Sequence, residues 1–203
     1  MKLRILVYDP HSSIWQLAFP EALLVEQLAH RGAQVHMVGC QGLLVARCTS
    51  QEAHNVGKNA SPLEKEQVCR DCRKKQASLS AEFSFEYSSI EEYISSAELE
   101  EIDNLLDSPV ERLLDYKVDS IPVGRFALYE GILSSKQTSQ DFDEPLARLY
   151  RSWLRGSLIS LAAFQRKIRD WSPDALITYN SLYAANRSVA ALAEASSVKA
   201  YSL

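Results

Sequence analysis

The chain has 203 residues, 46% hydrophobic and 24% charged, with a formal net charge of −4. That length suits one domain with a full core. The acidic balance, broken only by a small cluster at Arg70, Arg73, Lys74 and Lys75 beside the cysteines, argues against a non-specific nucleic-acid binder.

From the N-terminus, residues 3–7 form a compact apolar run, read as a parallel strand buried on both faces. The run is too short for a signal sequence and ends near Asp9. No stretch approaches the ~20 apolar residues of a membrane span. The expected location is therefore cytoplasmic, without a transmembrane segment. Residues 8–13, Tyr-Asp-Pro-His-Ser-Ser, are polar and turn-forming. Pro20-Glu21 reads as the start of a helix to about His30, because Pro suits the first turn and Glu its positive end. Arg31-Gly32 stops it, and residues 34–38 form a second strand. Strand, helix and strand fit one βαβ unit. The loop between them lacks G-x-G-x-x-G and Walker A is absent, so neither a dinucleotide nor a P-loop nucleotide is expected.

Every cysteine of the chain lies within residues 40–72. Seven residues separate Cys40 from Cys48, twenty separate Cys48 from Cys69, and two separate Cys69 from Cys72. A Cys-x-x-Cys pair with a second pair from a distant loop is a tetrahedral ligand set. Zinc is the default occupant, in a structural role, since four protein ligands leave no open position. An iron–sulfur cluster takes the same ligands and is the second reading. Disulfides, a redox pair and inert thiols are the bland alternatives; a reducing compartment favours metal over disulfides. His54, between the pairs, is a weaker ligand candidate. Ser61-Pro62-Leu63-Glu64 has capping-box spacing, which places Cys69 and Cys72 near the end of the helix it starts. The segment 49–62 reads as loop.

Residues 83–87 alternate apolar and polar, as a short strand or extended connection. One helix is expected over 91–106 with Ser89 as its cap, then short helices over 110–116 and 126–133, and a polar loop over 134–142. The longest helix runs to about Asp170 from Asp143-Glu144-Pro145. Residues 175–179 and 198–203 read as strands around an Ala-rich helix at 184–195. The expected fold is a single α/β domain over residues 1–203. It is a Rossmann-like parallel sheet flanked by helices, with a four-cysteine metal-binding insertion at 40–76 and a helical insertion at 89–142.

Lys2-Leu-Arg-Ile-Leu-Val-Tyr8, with its following helix, resembles the opening of the N-terminal domain of a GT-B-fold glycosyltransferase. Pro173-Asp174-Ala-Leu-Ile-Thr-Tyr179-Asn180-Ser-Leu-Tyr183, followed by Arg187, is similar to the same domain in bacterial surface-polysaccharide transferases, with Ser181 where Gly is usual. The cysteine insertion and Val123-Gly124-Arg125 resemble features of one subset. The resemblance implies an acceptor-side domain acting in polysaccharide or glycan biosynthesis. A nucleotide-sugar donor would bind through a missing C-terminal domain, so the chain alone is expected to be inactive.

His11 and Asp9 are then the candidate catalytic pair, taking a proton from a sugar hydroxyl. Ser12, Ser13, Tyr179, Asn180, Tyr183 and Arg187 are candidate acceptor-binding groups, since amides and hydroxyls bond sugars and Tyr rings stack on them. Arg125 and Arg187 are the cations available to a phosphate; His30 and His36 read as structural. Both loops are expected to be exposed, so that removing His11 or Asn180 costs little stability. The alternative function is a non-catalytic zinc-containing binding or scaffold module.

Overall fold

The computed structural model describes residues 2–57, 59–136 and 143–203; residues 137–142 of the expected polar loop lie outside them. Among the described residues there are five strands, all parallel, in the order β3-β2-β1-β4-β5. They are β1 Arg4–Tyr8, β2 Gln34–Gly39, β3 Glu86–Ser89, β4 Ala175–Thr178 and β5 Lys199–Ser202. This is the α/β, Rossmann-like sheet expected. Residues 83–87 proved to lead into a true strand at the β2 edge.

Alternation along the strands divides the core in two. Ile5, Val7, Val35, Met37 and Ile177 face α1 (Trp15–His30) and α3 (Pro62–Glu82), where Ala18, Ala22, Val25 and Leu79 meet them. Leu6, Tyr8, Val38 and Leu176 face the larger cluster built from α6 (Val123–Ser135), α7 (Glu144–Trp171) and α8 (Ala184–Ala195). Small residues on α7 let it lie close to the sheet: the Tyr8 hydroxyl is 2.6 Å from Ser160 Oγ, and the Tyr8 ring meets Phe164 edge-on at 4.7 Å. Among the described residues, no helix is long and apolar enough to cross a membrane.

Helix boundaries moved where local chemistry was misjudged. α1 starts at Trp15, so Pro20 lies inside it and not at its first turn. Thr49–Ala53 forms a short helix, α2, within the expected loop. The Ser61–Glu64 capping box is present, but α3 continues to Glu82, so Cys69 and Cys72 sit in mid-helix. The helix expected over 91–106 is two elements: a one-turn 3-10 helix Ile90–Tyr93, then α4 Ser96–Leu106. Each has its own capping box, Ser89 with Glu92 and Ser95 with Glu98, and the second restarts the chain.

Val123-Gly124-Arg125 has a packing role here. α5 (Val110–Leu114) ends against the first turn of α6, and Gly124 N–H donates to Tyr116 O at 3.1 Å. A Cβ on Gly124 would stand 2.1 Å from Leu113 O and 2.7 Å from Leu114 O, backbone atoms that cannot swing aside. Arg125 pairs with exposed Asp115. Gly124→Ala is expected to lower unfolding free energy by about 1–3 kcal/mol through overpacking, read as a fall in urea midpoint at constant m. An unchanged midpoint would show that the α5–α6 contact relaxes freely.

Candidate functional site

Because β1 and β4 pair in parallel, their following loops leave at the same carboxyl edge. The first loop turns sharply. Asp9 N–H continues the ladder to Val38 O at 3.0 Å, and its carboxylate then accepts His11 N–H at 3.2 Å and Ser12 Oγ–H at 2.5 Å. This self-bonded Asp turn draws the polar loop inward. Asp9, His11, Ser12 and Ser13 are all buried, 2% exposed or less, which overturns the expectation of an exposed loop.

The His11 imidazole stands between two carboxylates. Its Nδ1 is 3.6 Å from Asp9 Oδ1, and its Nε2 is 3.3 Å from Glu21 Oε2 on α1. That second contact is off the line of a hydrogen bond, and both Glu21 oxygens lack any hydrogen-bond donor. Burial opposes charge on His11, but Asp9 and Glu21 outweigh it, so its pKa is raised. Burial raises the pKa of Glu21. Among the described residues this is the one His/Cys/Asp/Glu group whose ligand atoms all lie within 4.8 Å of one another. One imidazole and two carboxylates suit a divalent cation; the same atoms hold a proton on the imidazole. Glu21 was missed because it was read as a helix-start acid. The available signal was position: it lies with Ala18, Ala22 and Val25 on the buried face of α1.

The second loop comes to meet the first. The Tyr179 ring centroid is 5.2 Å from that of His11, and Tyr183 stacks on Tyr179 at 6.5 Å and 23°. Asn180 Oδ1 accepts the N–H groups of Leu182 at 2.9 Å and Tyr183 at 3.2 Å, which shapes the turn. Ser181 is not among the residues with positive φ, so this loop does not require glycine there. Tyr179, Asn180 and Tyr183 are half-buried and form the part of the edge that meets solvent. Arg187 does not join them. Its guanidinium lies over the Phe126 ring at 5.4 Å and 3.8 Å from Glu194.

Glu130 of α6 is a second residue that the sequence did not flag. Its Oε2 accepts Ala184 N–H at 2.7 Å, capping α8 just after Tyr183. It is 1% exposed, and burial pushes its carboxyl up to about 7.

The cysteine insertion packs over the same edge. All four thiols are free. Burial raises Cys40 to about 12 and also raises Cys48 and Cys69. No three of the sulfurs lie within 4.8 Å of one another. His54 Nε2 is 3.3 Å from Ser13 O. Pro10, Cys48, Trp153, Tyr183 and Asn186 line a narrow cavity of about 10 Å³, room for a single water.

Compared with protein-family models and with curated proteins, the chain matches none.

Two predictions follow from these charges. His11→Ala leaves two buried carboxylates facing each other without a cation, and should cost about 3–5 kcal/mol in denaturant unfolding. A loss under 1 kcal/mol would show that the imidazole does not offset the burial of these carboxylates.

Glu130 has a folded pKa near 7, above its ordinary 4.5. The native state therefore binds more protons than the unfolded state between those values. This contribution is complete below about pH 4.5 and is lost as pH rises through 7. Glu130→Gln keeps an acceptor for Ala184 and should flatten the fall of Tm with pH across that window. The same slope in both proteins would assign it elsewhere.

Proposed function

We propose that this chain is the acceptor-side domain of a glycosyltransferase acting on a sugar or glycan, with its site where the loops after β1 and β4 meet. One observation carries the reading: a half-buried, stacked Tyr179–Tyr183 pair stands directly beside a buried imidazole held by two carboxylates. Stacked phenols offer an apolar face to a pyranose ring and a hydroxyl to its rim. The Asp9–His11–Glu21 group stores a proton next to where a sugar hydroxyl would lie. A nucleotide-sugar donor would come from a second domain, as the resemblance to GT-B enzymes implies. The four free thiols fit a reducing, cytoplasmic setting.

A second reading, a non-catalytic glycan-binding module, draws on the burial of His11. The residue is 2% exposed and both ring nitrogens face carboxylates. A direct base needs a nitrogen within hydrogen-bond reach of the substrate.

Titrating the chain with neutral oligosaccharides, followed by amide NMR, tests the shared part. Shifts should gather at residues 9–13 and 179–183. Tyr179→Ala and Tyr183→Ala should each weaken binding about 3- to 10-fold, the worth of one aromatic contact. Shifts confined to other surfaces would refute the site. To separate the readings, His11→Gln is made in a chain that carries a donor domain. Abolished transfer with retained glycan binding supports the transferase; unaltered transfer removes His11 from the chemistry.

A further inference from the structure

We infer that Asp9, His11 and Glu21 form a binding site for one divalent first-row transition-metal ion at the carboxyl edge of the sheet. The inference goes beyond the sugar reading and stands without it. In the metal-free chain the group holds a proton on the imidazole, and the ion takes that proton's place.

The first support is a set of unmet acceptors. His11 Nε2 and both Glu21 oxygens are buried and have no hydrogen-bond partner. Native proteins leave few such atoms, because each has lost its water without replacement. They also face one another: Nε2 is 3.3 Å from Glu21 Oε2, off the line of a hydrogen bond. A proton on Nε2 meets one carboxylate oxygen at a poor angle and leaves the other bare. An ion can be shared by the nitrogen and both oxygens at once.

The second support is spacing. Nitrogen and oxygen ligands bonded to such an ion at about 2.0–2.2 Å stand about 3–3.5 Å apart. The Nε2–Oε2 distance of 3.3 Å already has that value, and one atom from each of the three residues lies within 4.8 Å of the other two. Little movement closes the set. Asp9 is moreover held as a ligating carboxylate is held: Oδ1 accepts His11 N–H at 3.2 Å and Oδ2 accepts Ser12 Oγ–H at 2.5 Å.

The third support is charge. With a neutral imidazole the three side chains carry two negative charges, where none of them is more than 3% exposed. Among the described residues neither carboxylate pairs with a lysine or arginine; Lys75, which donates to Ser13 O at 2.8 Å, pairs with Asp71. A proton on the ring leaves the group one charge short of neutral, and a divalent ion makes it neutral. One imidazole with two carboxylates selects manganese, iron, cobalt or zinc over magnesium and calcium, which prefer oxygen alone. Three side chains leave the rest of the coordination sphere to water. Tyr179, whose ring lies beside His11, is only half-buried, so ion and water have a short way in.

The test uses the whole chain, stripped of metal and titrated with Mn²⁺, an ion that thiols hold weakly. Loss of the free Mn²⁺ signal in electron paramagnetic resonance should show one bound ion per chain. Bound Mn²⁺ should broaden the amide NMR signals of residues 9–13 and 21 first. At about a hundred times its Kd the ion should raise Tm by about 5–10 °C. Glu21→Gln keeps the shape of the side chain and removes its charge. Without metal it should melt no lower than the parent, because an uncompensated buried charge is gone. It should bind Mn²⁺ at least about 100-fold more weakly, since even an outer partner of a ligand is worth about 10- to 100-fold. If that variant does not fold, the broadening decides, and a pattern centred away from residues 9–13 and 21 overturns the site. No uptake of Mn²⁺, Co²⁺ or Zn²⁺ would overturn it too, and so would equal Mn²⁺ affinity in Glu21→Gln and the parent. Co²⁺ bands of thiolate charge transfer that vanish in Cys72→Ser but persist in Glu21→Gln would place the ion on the cysteines and reject the inference.

Discussion

Everything at the candidate site hangs on β1. It is hydrogen-bonded on both sides, to β2 and β4, and packed on both faces, by α1 and α3 on one and by α7 and α8 on the other. No water reaches Leu6, Val7 or Tyr8. A strand so enclosed has one register, because a slip of one residue would exchange its two apolar faces. Its end point is therefore fixed, and so is the start of the loop at Asp9. Parallel pairing with β4 then decides that Tyr179 leaves on the same side. The meeting of His11 and Tyr179 is a consequence of register, not of any strong bond between them.

What gathers at that edge is costly to bury. Asp9, His11 and Glu21 are removed from water together. Desolvation of ions exceeds pairwise attraction unless geometry is close and further bonds are made. Asp9 has those bonds, from His11 N–H and Ser12 Oγ–H; Glu21 has none. The group is therefore held by its surroundings rather than holding them. Its balance is set by one imidazole shared between two acids, an arrangement that favours protonation of the ring.

The centre of the sheet was legible because β1, β2 and β4 are short, buried and largely apolar, and they stand near clear stops such as Gly32 and Pro173; the exposed β5 was placed by its position after the Ala-rich helix. β3 was ambiguous because it lies at an edge, with Glu86 exposed and Tyr87 only half-buried. Two helix boundaries were readable but were not read. Ser-x-x-Glu occurs at Ser89 and again at Ser95, and the second marks a restart within the run taken as one helix. Pro20 misled because proline suits a first turn, yet α1 tolerates it one turn later, where only one intrahelical bond is lost. Asp9, His11, Tyr179, Asn180 and Tyr183 could be placed together, since strand ends suffice for that. Glu21 and Glu130 could not, because their roles depend on which helix face is buried and on what an adjacent element presents to it. Arg187 was placed correctly on its helix, but its guanidinium is engaged by Phe126 and Glu194.

The insertion at 40–76 completes this logic. A carboxyl edge built only from loops would leave Ser12 and Ser13 to water, and their backbone groups would be free to move. Here α3 crosses the edge, its Cys72 and Lys75 one turn apart on the face toward Ser13. The helix reaches that position because β2 ends at Gly39, where an added Cβ would collide with the Tyr87 hydroxyl and Gln76 of α3. A glycine at the end of β2 thus lets β3 and α3 close over it. The His11 loop is thus held through the backbone of Ser13 by an element far along the chain.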